Sequence, residues 1–308
     1  MSKASAPGKI ILFGEHAVVY GYPALAVPVT QVQAEVRIDR IFSPGIRINA
    51  PNIQLNARLD SLASSHPLAA TVRNTLAALE TDSLSGVTVL IRSSIPVASG
   101  LGSGAAVSVA IIRALAKFLK KKLTDEQVSA LAFETEKLYH GTPSGIDNTV
   151  VTYAKPVYFV KGKPIETLQV KKPFTIVIGD TGIPASTKES VRDVRVQRHK
   201  RPERFGTLFA AIGSITNTAR QLIESGMPES FGPLMDENHA MLRSIKVSSP
   251  ELDHLVETAR KAGALGAKMS GGGRGGNMIA LVQPGKAGIV ARSLREAGAV
   301  NTITTKVI

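Results

Sequence analysis

The segment SGLGSGAAVS, residues 99–108, places three glycines within five positions, directly between a strand pattern and a helix pattern. The preceding residues GVTVLIRSSI (86–95) have the apolar, β-branched composition of a strand. After Ala105, apolar side chains recur at helical spacing as far as Leu119. The sequence therefore predicts a strand, a glycine-rich loop and a helix, in that order.

This loop fits a phosphate-binding role. The first amides of a helix have no intrahelical partner, and the helix dipole adds partial positive charge there. Glycine lets the backbone approach an anion closely, so such a loop can surround phosphate oxygens. Neither G-x-x-x-x-G-K-[ST] nor G-x-G-x-x-G occurs in 99–108. A tight turn that only packs the helix on a sheet is the alternative interpretation.

Other segments predict further strands and helices. The alternation in QVQAEVRIDRI (31–41) indicates a half-buried strand. Thr124 and Gln127 have the spacing of a capping box, and SGIDN (144–148) is expected to start a short helix capped by Ser144. Strands are also predicted at 171–182, after the glycine cluster 271–276 and at 297–308, and helices around 205–225 and 250–263. We place a boundary between two domains near residue 170.

A second glycine cluster, GGGRGG at 271–276, matches G-x-G-x-x-G. It precedes a strand instead of opening a helix, so a dinucleotide-binding loop is not expected there. The loop is flanked by Lys268 and carries Ser270 and Arg274. It could lie against phosphates or against the first glycine loop.

A third cluster, SAPGKIILFGEHAVVYG at 5–21, places Lys9, Glu15 and His16 around an apolar strand pattern. Taken singly, His16 is more often a structural histidine, and Lys9 a solvated lysine. Charged groups this close to the apolar run IILF nevertheless suggest a shared role.

Composition limits the classes of function. The 308 residues include no cysteine, which excludes disulfides and thiolate metal sites, and the 44% apolar fraction is sufficient for a core. The amino terminus has no apolar segment typical of a signal peptide or a membrane span, so we predict a cytoplasmic protein with no membrane association. The formal net charge of +13 favours anionic partners.

The basic segment RDVRVQRHKRPER (192–204) offers an alternative function, salt-sensitive binding of nucleic acid. Trp is absent and the aromatic fraction is 5%, so stacking platforms for single strands are scarce. The basic run is also isolated, which is typical of a solvated face beside an anion site. We therefore expect no nucleic-acid partner.

Three motifs in order carry a family resemblance: PGKIILFGEHAVVYG (7–21), PVASGLGSGAAVS (96–108) and KMSGGGRGGNMIAL (268–281). Together they resemble the galactokinase, homoserine kinase, mevalonate kinase and phosphomevalonate kinase (GHMP) superfamily. The similarity extends over the whole chain and includes HGTPSGIDNTV (140–150) and STKESVRDV (186–194). It implies an α/β, two-lobed fold. An ATP-binding amino-terminal domain at 1–170 resembles a domain of a ribosomal protein, and a carboxy-terminal domain at 171–308 is ferredoxin-like.

The resemblance also implies roles for individual residues. Asp147 is expected to receive or orient the proton of the acceptor hydroxyl, and Lys9 to neutralise charge on the transferred phosphoryl group. Glu136 and Ser103 are the expected magnesium ligands. Residues expected to contact ATP are Pro96, Ser99, Gly100, Leu101, Gly102, Ser103, Gly104, Ala105, Gly271, Gly272 and Gly273. Residues expected to contact the acceptor are Glu15, His16, Lys188, Arg195 and Ser270.

The implied activity is transfer of the ATP γ-phosphoryl group to an alcohol, with magnesium as the metal. Within GEHAVV, His16 favours mevalonate as the acceptor, because many family members that act on phosphomevalonate have tyrosine there. Phosphomevalonate, homoserine and sugars are the alternative acceptors. Gly104 stands where the family usually has a magnesium-binding serine, so we expect the metal shell to differ there. A homodimer is a possible assembly, since relatives are often dimers.

Overall fold

The structure is a computed structural model that describes residues 1–81, 84–96, 99–141 and 143–308. These residues form eleven β-strands and nine α-helices. The strands are β1 (Ser2–Phe13), β2 (Ala24–Arg40), β3 (Ile46–Ala50), β4 (Leu55–Arg58), β5 (Val87–Ser93), β6 (Val157–Phe159), β7 (Glu166–Thr167), β8 (Phe174–Asp180), β9 (Gly266–Ser270), β10 (Asn277–Val282) and β11 (Asn301–Val307). The helices are α1 (Pro67–Ala78), α2 (Ser103–Phe118), α3 (Asp125–His140), α4 (Ile146–Tyr153), α5 (Thr187–Lys200), α6 (Pro202–Glu224), α7 (Gly232–Ser244), α8 (Pro250–Lys261) and α9 (Ala287–Glu296). No helix in the described part of the chain is both long and apolar enough to cross a membrane.

The first of two compact units comprises Met1–Gly8, the described part of 32–97 and Gly102–Ala154. Its strands pair in the order β4-β3-β5-β2, in which β3 and β5 are parallel and the other pairs are antiparallel. Parallel neighbours need a crossover, and β4 with α1 supplies it. Helix α2 contacts α1, α3 and α4 and buries most of its length, so the loop before it is attached to a rigid element.

The second unit comprises Lys9–Gln31, the described part of 98–101 and Lys155–Ile308. Its main sheet is fully antiparallel, in the order β11-β8-β10-β9. Helices α7, α8 and α9 contact this sheet, and buried methionines, valines and leucines fill the space between them. The first residues of β2 pair with β6, and β6 pairs with β7. β9 and β10 are buried along their whole length, which is why both consist mostly of small and apolar residues.

Most of the predicted elements are confirmed. The predicted strands at 31–41, 86–95, 171–182 and 297–308 correspond to β2, β5, β8 and β11, and the predicted helices around 205–225 and 250–263 to α6 and α8. The helix expected from Ala105 is α2, which begins two residues earlier. The capping box also forms, because the Gln127 amide donates to Thr124 Oγ1 at 3.3 Å and the Thr124 amide donates to Gln127 Oε1 at 2.8 Å. The α/β class is therefore confirmed, and the boundary near residue 170 stays a prediction.

One predicted cap is wrong. The residue that caps α4 is Gly145, with φ 97°, instead of Ser144. Glycine adopts this left-handed conformation without steric cost, so the helix can begin one residue after the predicted position. The Ser144 hydroxyl still accepts a hydrogen bond from the Ile146 amide at 3.3 Å. Ser144 therefore supports the start of the helix from just outside it.

Candidate functional site

The first glycine loop ends at the amino terminus of α2. Gly102, with φ 73°, is the cap of this helix, and it makes no side-chain cap hydrogen bond. The Ala106 amide makes the first hydrogen bond of the helix, to the Gly102 carbonyl at 2.9 Å, so the preceding amides are not used within it. The first turn contains no acidic side chain. This end of α2 therefore has the amides and the electrostatic character that bind a phosphate group.

Glu136, on α3, is a buried carboxylate beside the first turn of α2. A Cβ atom at Gly104 would lie 3.1 Å from Glu136 Oε1 and 3.1 Å from Cε2 of Tyr139. The glycine therefore makes room for both side chains. Burial raises the pKa of Tyr139 to about 12, and the charge of Glu136 adds to the rise, so the phenol stays protonated at neutral pH.

The Glu136 carboxylate is the candidate magnesium ligand beside Gly104. No group of three or more histidine, aspartate or glutamate side chains that could hold a metal occurs among the described residues. Magnesium commonly binds one or two carboxylates together with phosphate oxygens and water. One buried carboxylate next to the amino end of a helix fits that mode of binding.

Asp147 lies in the first turn of α4, where a negative side chain is favoured by the helix dipole. Two neighbouring side chains anchor this turn. Asn148 Nδ2 donates to the carbonyl and hydroxyl oxygens of Ser129 at 3.1 and 2.8 Å, and Thr149 Oγ1 donates to the Gly145 carbonyl at 2.7 Å. The half-buried Asp147 carboxylate is therefore carried by a firmly held turn.

Lys9, Glu15 and His16, the third cluster predicted from sequence, are all buried in the second unit. His16 has φ 62° and ψ −45°, a positive-φ conformation that a non-glycine residue adopts only at a cost. Its Nε2 lies 3.1 Å from the Gly272 carbonyl, which can only accept, so Nε2 carries the proton. Burial lowers the pKa of His16 to about 4, which makes the ring neutral at pH 7. Its buried Nδ1 is then an acceptor, and it has no hydrogen-bond partner within the described ranges.

Glu15, like His16, has one polar side-chain atom that is engaged and one that has no partner among the described residues. Oε1 forms a buried ion pair with Lys268, whose ammonium group also donates to the Met269 carbonyl at 2.8 Å. Oε2 is buried and receives no hydrogen bond from any residue that the structure describes. Burial raises the pKa of Glu15, and the charge and hydrogen bond of Lys268 act in the opposite direction.

The second glycine loop packs against several segments of its own unit. Ser270 Oγ donates to the Ile11 carbonyl at 2.7 Å, and Ser190 Oγ donates to the Gly272 carbonyl at 2.6 Å. A Cβ atom at Gly273 would lie 1.9 Å from the Val247 carbonyl oxygen, so only glycine fits there. Asn277 Nδ2 donates to the Ser99 carbonyl. The loop therefore lies against the first glycine loop, which is one of the two placements that the sequence left open.

The basic residues on and near α5 differ in their surroundings. Arg274 Nη1 is paired with Asp193 Oδ2 at 2.6 Å, and Arg198 stacks over the Tyr20 ring at 4.7 Å. Arg195 is exposed, with its charge close to Tyr20, and Lys188 is exposed in the first turn of α5. The structure thus brings Glu15, His16, Ser270 and the second glycine loop together, whereas Lys188 contributes no side-chain hydrogen bond or ion pair to the described residues.

The buried ion pair of Lys268 was not predicted from the sequence, which indicated only that this residue flanks the loop. Its side chain is fully buried at the centre of β9. The available signal was a single charged residue in GAKMS, between small and apolar neighbours. A lysine in such a strand is rarely buried unless it is paired.

Two family descriptions match parts of the chain, and known proteins match nearly its full length. The family descriptions "GHMP kinases N terminal domain" and "GHMP kinases C terminal" match residues 68–155 and 219–300. The chain is 38% identical to mevalonate kinase of Pyrococcus horikoshii, covering 98% of this chain and 94% of that protein. It is 39% identical to mevalonate kinase of Pyrococcus furiosus, covering 98% and 95%. The crystal structure of L. major mevalonate kinase in complex with R-mevalonate superposes with a TM-score of 0.86 at 31% identity, covering 100% of this chain and 96% of that one.

Proposed function

This chain belongs to the GHMP kinase family, and we infer that it is an ATP-dependent enzyme that phosphorylates the 5-hydroxyl of (R)-mevalonate. The products are 5-phosphomevalonate and ADP. In this reaction the acceptor oxygen forms a bond to the γ-phosphorus, the bond from that phosphorus to the β-phosphate oxygen breaks, and the hydroxyl proton leaves. Such a transfer requires mainly alignment and charge stabilisation.

We propose that ATP phosphates bind at the amino end of α2. The backbone of Gly100 to Ala105 supplies the amides, with Pro96 and Ser99 leading into the loop and Gly271, Gly272 and Gly273 contributing from the second loop. Lys9 places a positive charge toward the transferred group. The support for this assignment is the start of α2, which has no side-chain cap hydrogen bond and no acidic side chain in its first turn.

Magnesium would be held by Glu136, with Ser103 as a second candidate ligand, and would neutralise phosphate charge when bound. The support is the buried carboxylate beside Gly104. Asp147 is proposed to accept the hydroxyl proton or to orient the hydroxyl, because it is a half-buried carboxylate on an anchored helical turn.

The observation that carries the proposal is the pair of buried acceptor atoms, Glu15 Oε2 and His16 Nδ1, which suits an acceptor with hydroxyl groups. Both can receive hydrogen bonds from hydroxyl groups, and mevalonate has two hydroxyls. A phosphate group has no comparable donors at neutral pH and would be repelled by the Glu15 carboxylate. Lys188 and Arg195 are the candidate partners of the mevalonate carboxylate, and Ser270 is a further candidate contact.

Phosphomevalonate is the second candidate acceptor, because the net charge of +13 and the basic α5 suit a phosphorylated molecule. The deciding experiment measures ADP release with mevalonate, phosphomevalonate, homoserine and galactose under identical conditions. We expect mevalonate to give the highest kcat/KM. A higher value for any of the other three acceptors would contradict the proposal.

A homodimer and a cytoplasmic location stay predictions. Light scattering coupled to size-exclusion chromatography would test the first, and cell fractionation the second.

A further inference from the structure

Lys268 is completely buried, and its ammonium group has defined partners. It donates to Glu15 Oε1 and to the Met269 carbonyl at 2.8 Å, and it lies 5.9 Å from the centre of the Phe13 ring. Glu15 is equally buried. Two opposite charges are thus removed from water together.

Stability does not account for such a pair. Removing a carboxylate and an ammonium group from water costs several kcal/mol for each ion, and an apolar pair of similar volume is often as stable or more stable. β9 is buried along its whole length, so an apolar side chain at position 268 would be shielded from water. A role in function therefore explains this ion pair better than a role in stability does.

The two oxygens of Glu15 are in different situations. Lys268 occupies Oε1, whereas Oε2 is buried and lacks a donor in the part of the chain that the structure describes. A carboxylate that is held at one oxygen presents the other in a defined direction. We propose that Lys268 is a positioning residue, which holds Glu15 so that Oε2 can accept a hydrogen bond from a hydroxyl group of the acceptor. This inference rests on the proposed function and adds to it a residue that acts through Glu15.

The charge of Lys268 opposes the effect of burial on Glu15. Burial alone favours the protonated carboxyl group and raises the Glu15 pKa, whereas the positive charge of Lys268 is the largest effect that lowers it. Lys9 acts in the same direction more weakly. An ionised carboxylate only accepts hydrogen bonds, which suits a hydroxyl donor.

The strand β9, which carries Lys268, is also held through the next residue, Met269. The Met269 amide donates to His239 Nδ1 at 3.3 Å, and His239 Nε2 lies 3.2 Å from Asp253 Oδ1. Asp253 also pairs with Arg243 Nε at 2.8 Å. β9 is thereby tied to α7 and α8, so the ammonium group has a fixed location from which to hold Glu15.

The test uses the full chain with Lys268→Met, Glu15→Gln and the double variant Glu15→Gln/Lys268→Met. Lys261→Met, which breaks an exposed ion pair with Glu257 on α8, is the matched control. For each variant, kcat, the KM for mevalonate and the KM for ATP are measured, together with the Kd for mevalonate by calorimetry.

We expect Lys268→Met to raise the KM and Kd for mevalonate by about tenfold or more and to change the KM for ATP by less than about twofold. Because Lys268 acts through Glu15, adding Lys268→Met to Glu15→Gln should change the mevalonate values by less than about twofold. Lys261→Met should leave all values unchanged. Lys268→Arg, which keeps the charge, should recover part of the mevalonate affinity.

Two results would overturn the inference. The first is an unchanged KM and Kd for mevalonate in Lys268→Met. The second is a fold-change in these values in the double variant that equals the product of the fold-changes in the two single variants. If Lys268→Met leaves Glu15 unpaired and does not fold, the charge-balanced double variant is compared with Glu15→Gln by the same criterion. A wild-type protein that is inactive with mevalonate would contradict the proposed function as well. An active wild type with an unaffected Lys268→Met would contradict this inference alone.

Discussion

His16, which contacts the second glycine loop, and Arg274, which lies in it, are non-glycine residues with positive φ, at 62° and 64°. Such conformations cost on the order of 1–3 kcal/mol and persist only where the surroundings determine them. For His16 the determining contact is the Gly272 carbonyl, and for Arg274 it is the amide hydrogen bond to the Val247 carbonyl at 2.7 Å together with the Asp193 ion pair. His16 is therefore held by a contact with the second glycine loop, and Arg274, which lies in that loop, is held by contacts with residues outside it. These contacts offset the conformational cost of the positive φ and fix the direction of each side chain.

Asp147 supports a prediction on catalysis. Asp147→Asn keeps the shape of the side chain and removes the group that would receive the proton, so kcat should fall by about 10²–10⁴-fold. The KM for mevalonate should change much less. Asp125→Asn is the matched control, because Asp125 is also a first-turn aspartate, on α3, and pairs with Arg113 at the surface. Turnover close to wild type in a folded Asp147→Asn protein would contradict the assignment.

Gly104 supports a prediction on packing. A methyl group at this position would lie 3.1 Å from both Glu136 Oε1 and the Tyr139 ring, which is closer than ordinary contact. Removing the ring with Tyr139→Ala should therefore make Gly104→Ala better tolerated. In a double-mutant cycle of unfolding free energies, we expect a coupling energy of about 0.5–3 kcal/mol in this direction. Additive effects would show that the ring does not limit the space at Gly104.

At the scale of elements, the loop between β9 and β10 is held by both its backbone conformation and its contacts. Gly271, Gly273, Arg274, Gly275 and Gly276 all have positive φ. Antiparallel pairing places Asn277 opposite Ser270, so the two strands fix both ends of the loop. The Arg274 amide donates to Val247 and the Gly276 amide to Ile183, which fixes its middle. The loop is thus built to hold one conformation.

Gly273→Ala tests this rigidity. The added Cβ would meet the Val247 carbonyl oxygen at 1.9 Å in a residue with φ 74°, so backbone strain and a backbone clash act together. Gly263→Ala is the control, because Gly263 has φ 96° and no atom within 4 Å of the added Cβ. We expect Gly263→Ala to lower the free energy of unfolding by about 1 kcal/mol and Gly273→Ala by roughly 3 kcal/mol or more. Urea denaturation measures both, and equal losses would contradict the expectation.

For the whole molecule, the buried ionisable groups connect stability with pH. Burial lowers the pKa values of His16 and His239 to about 4, from an ordinary value of 6.5. Between these two pH values the unfolded chain binds a proton at each histidine and the folded protein does not. The free energy of unfolding therefore falls as the pH drops from 6.5 toward 4.

His16→Asn isolates one of these contributions. The wild type should lose roughly 3 kcal/mol more than this variant between pH 7 and pH 4, since each unit of pKa shift corresponds to about 1.4 kcal/mol. Urea unfolding at several pH values, compared between the two proteins, provides the measurement. Parallel pH profiles would mean that the His16 ring is not buried in its neutral form.

What the sequence determined by itself was local. Alternation identified β2, helical spacing identified α2, and the Thr124–Gln127 box identified the start of α3, because each signal comes from residues within a few positions of one another. Even a local signal failed where two neighbours competed, as Ser144 and Gly145 did for the cap of α4. Motif order also pointed to Glu15, His16, Glu136 and Asp147 as candidate functional residues.

Only the tertiary structure decided how those residues are held. Glu15 and Lys268 are 253 positions apart, and His16 and the Gly272 carbonyl that sets its tautomer are 256 apart. The space at Gly104 depends on side chains from another helix. No periodicity encodes such pairings, because they arise when separate strands and helices pack together. The charge state and direction of a buried side chain depend on those neighbours, since burial and nearby charges together set its pKa.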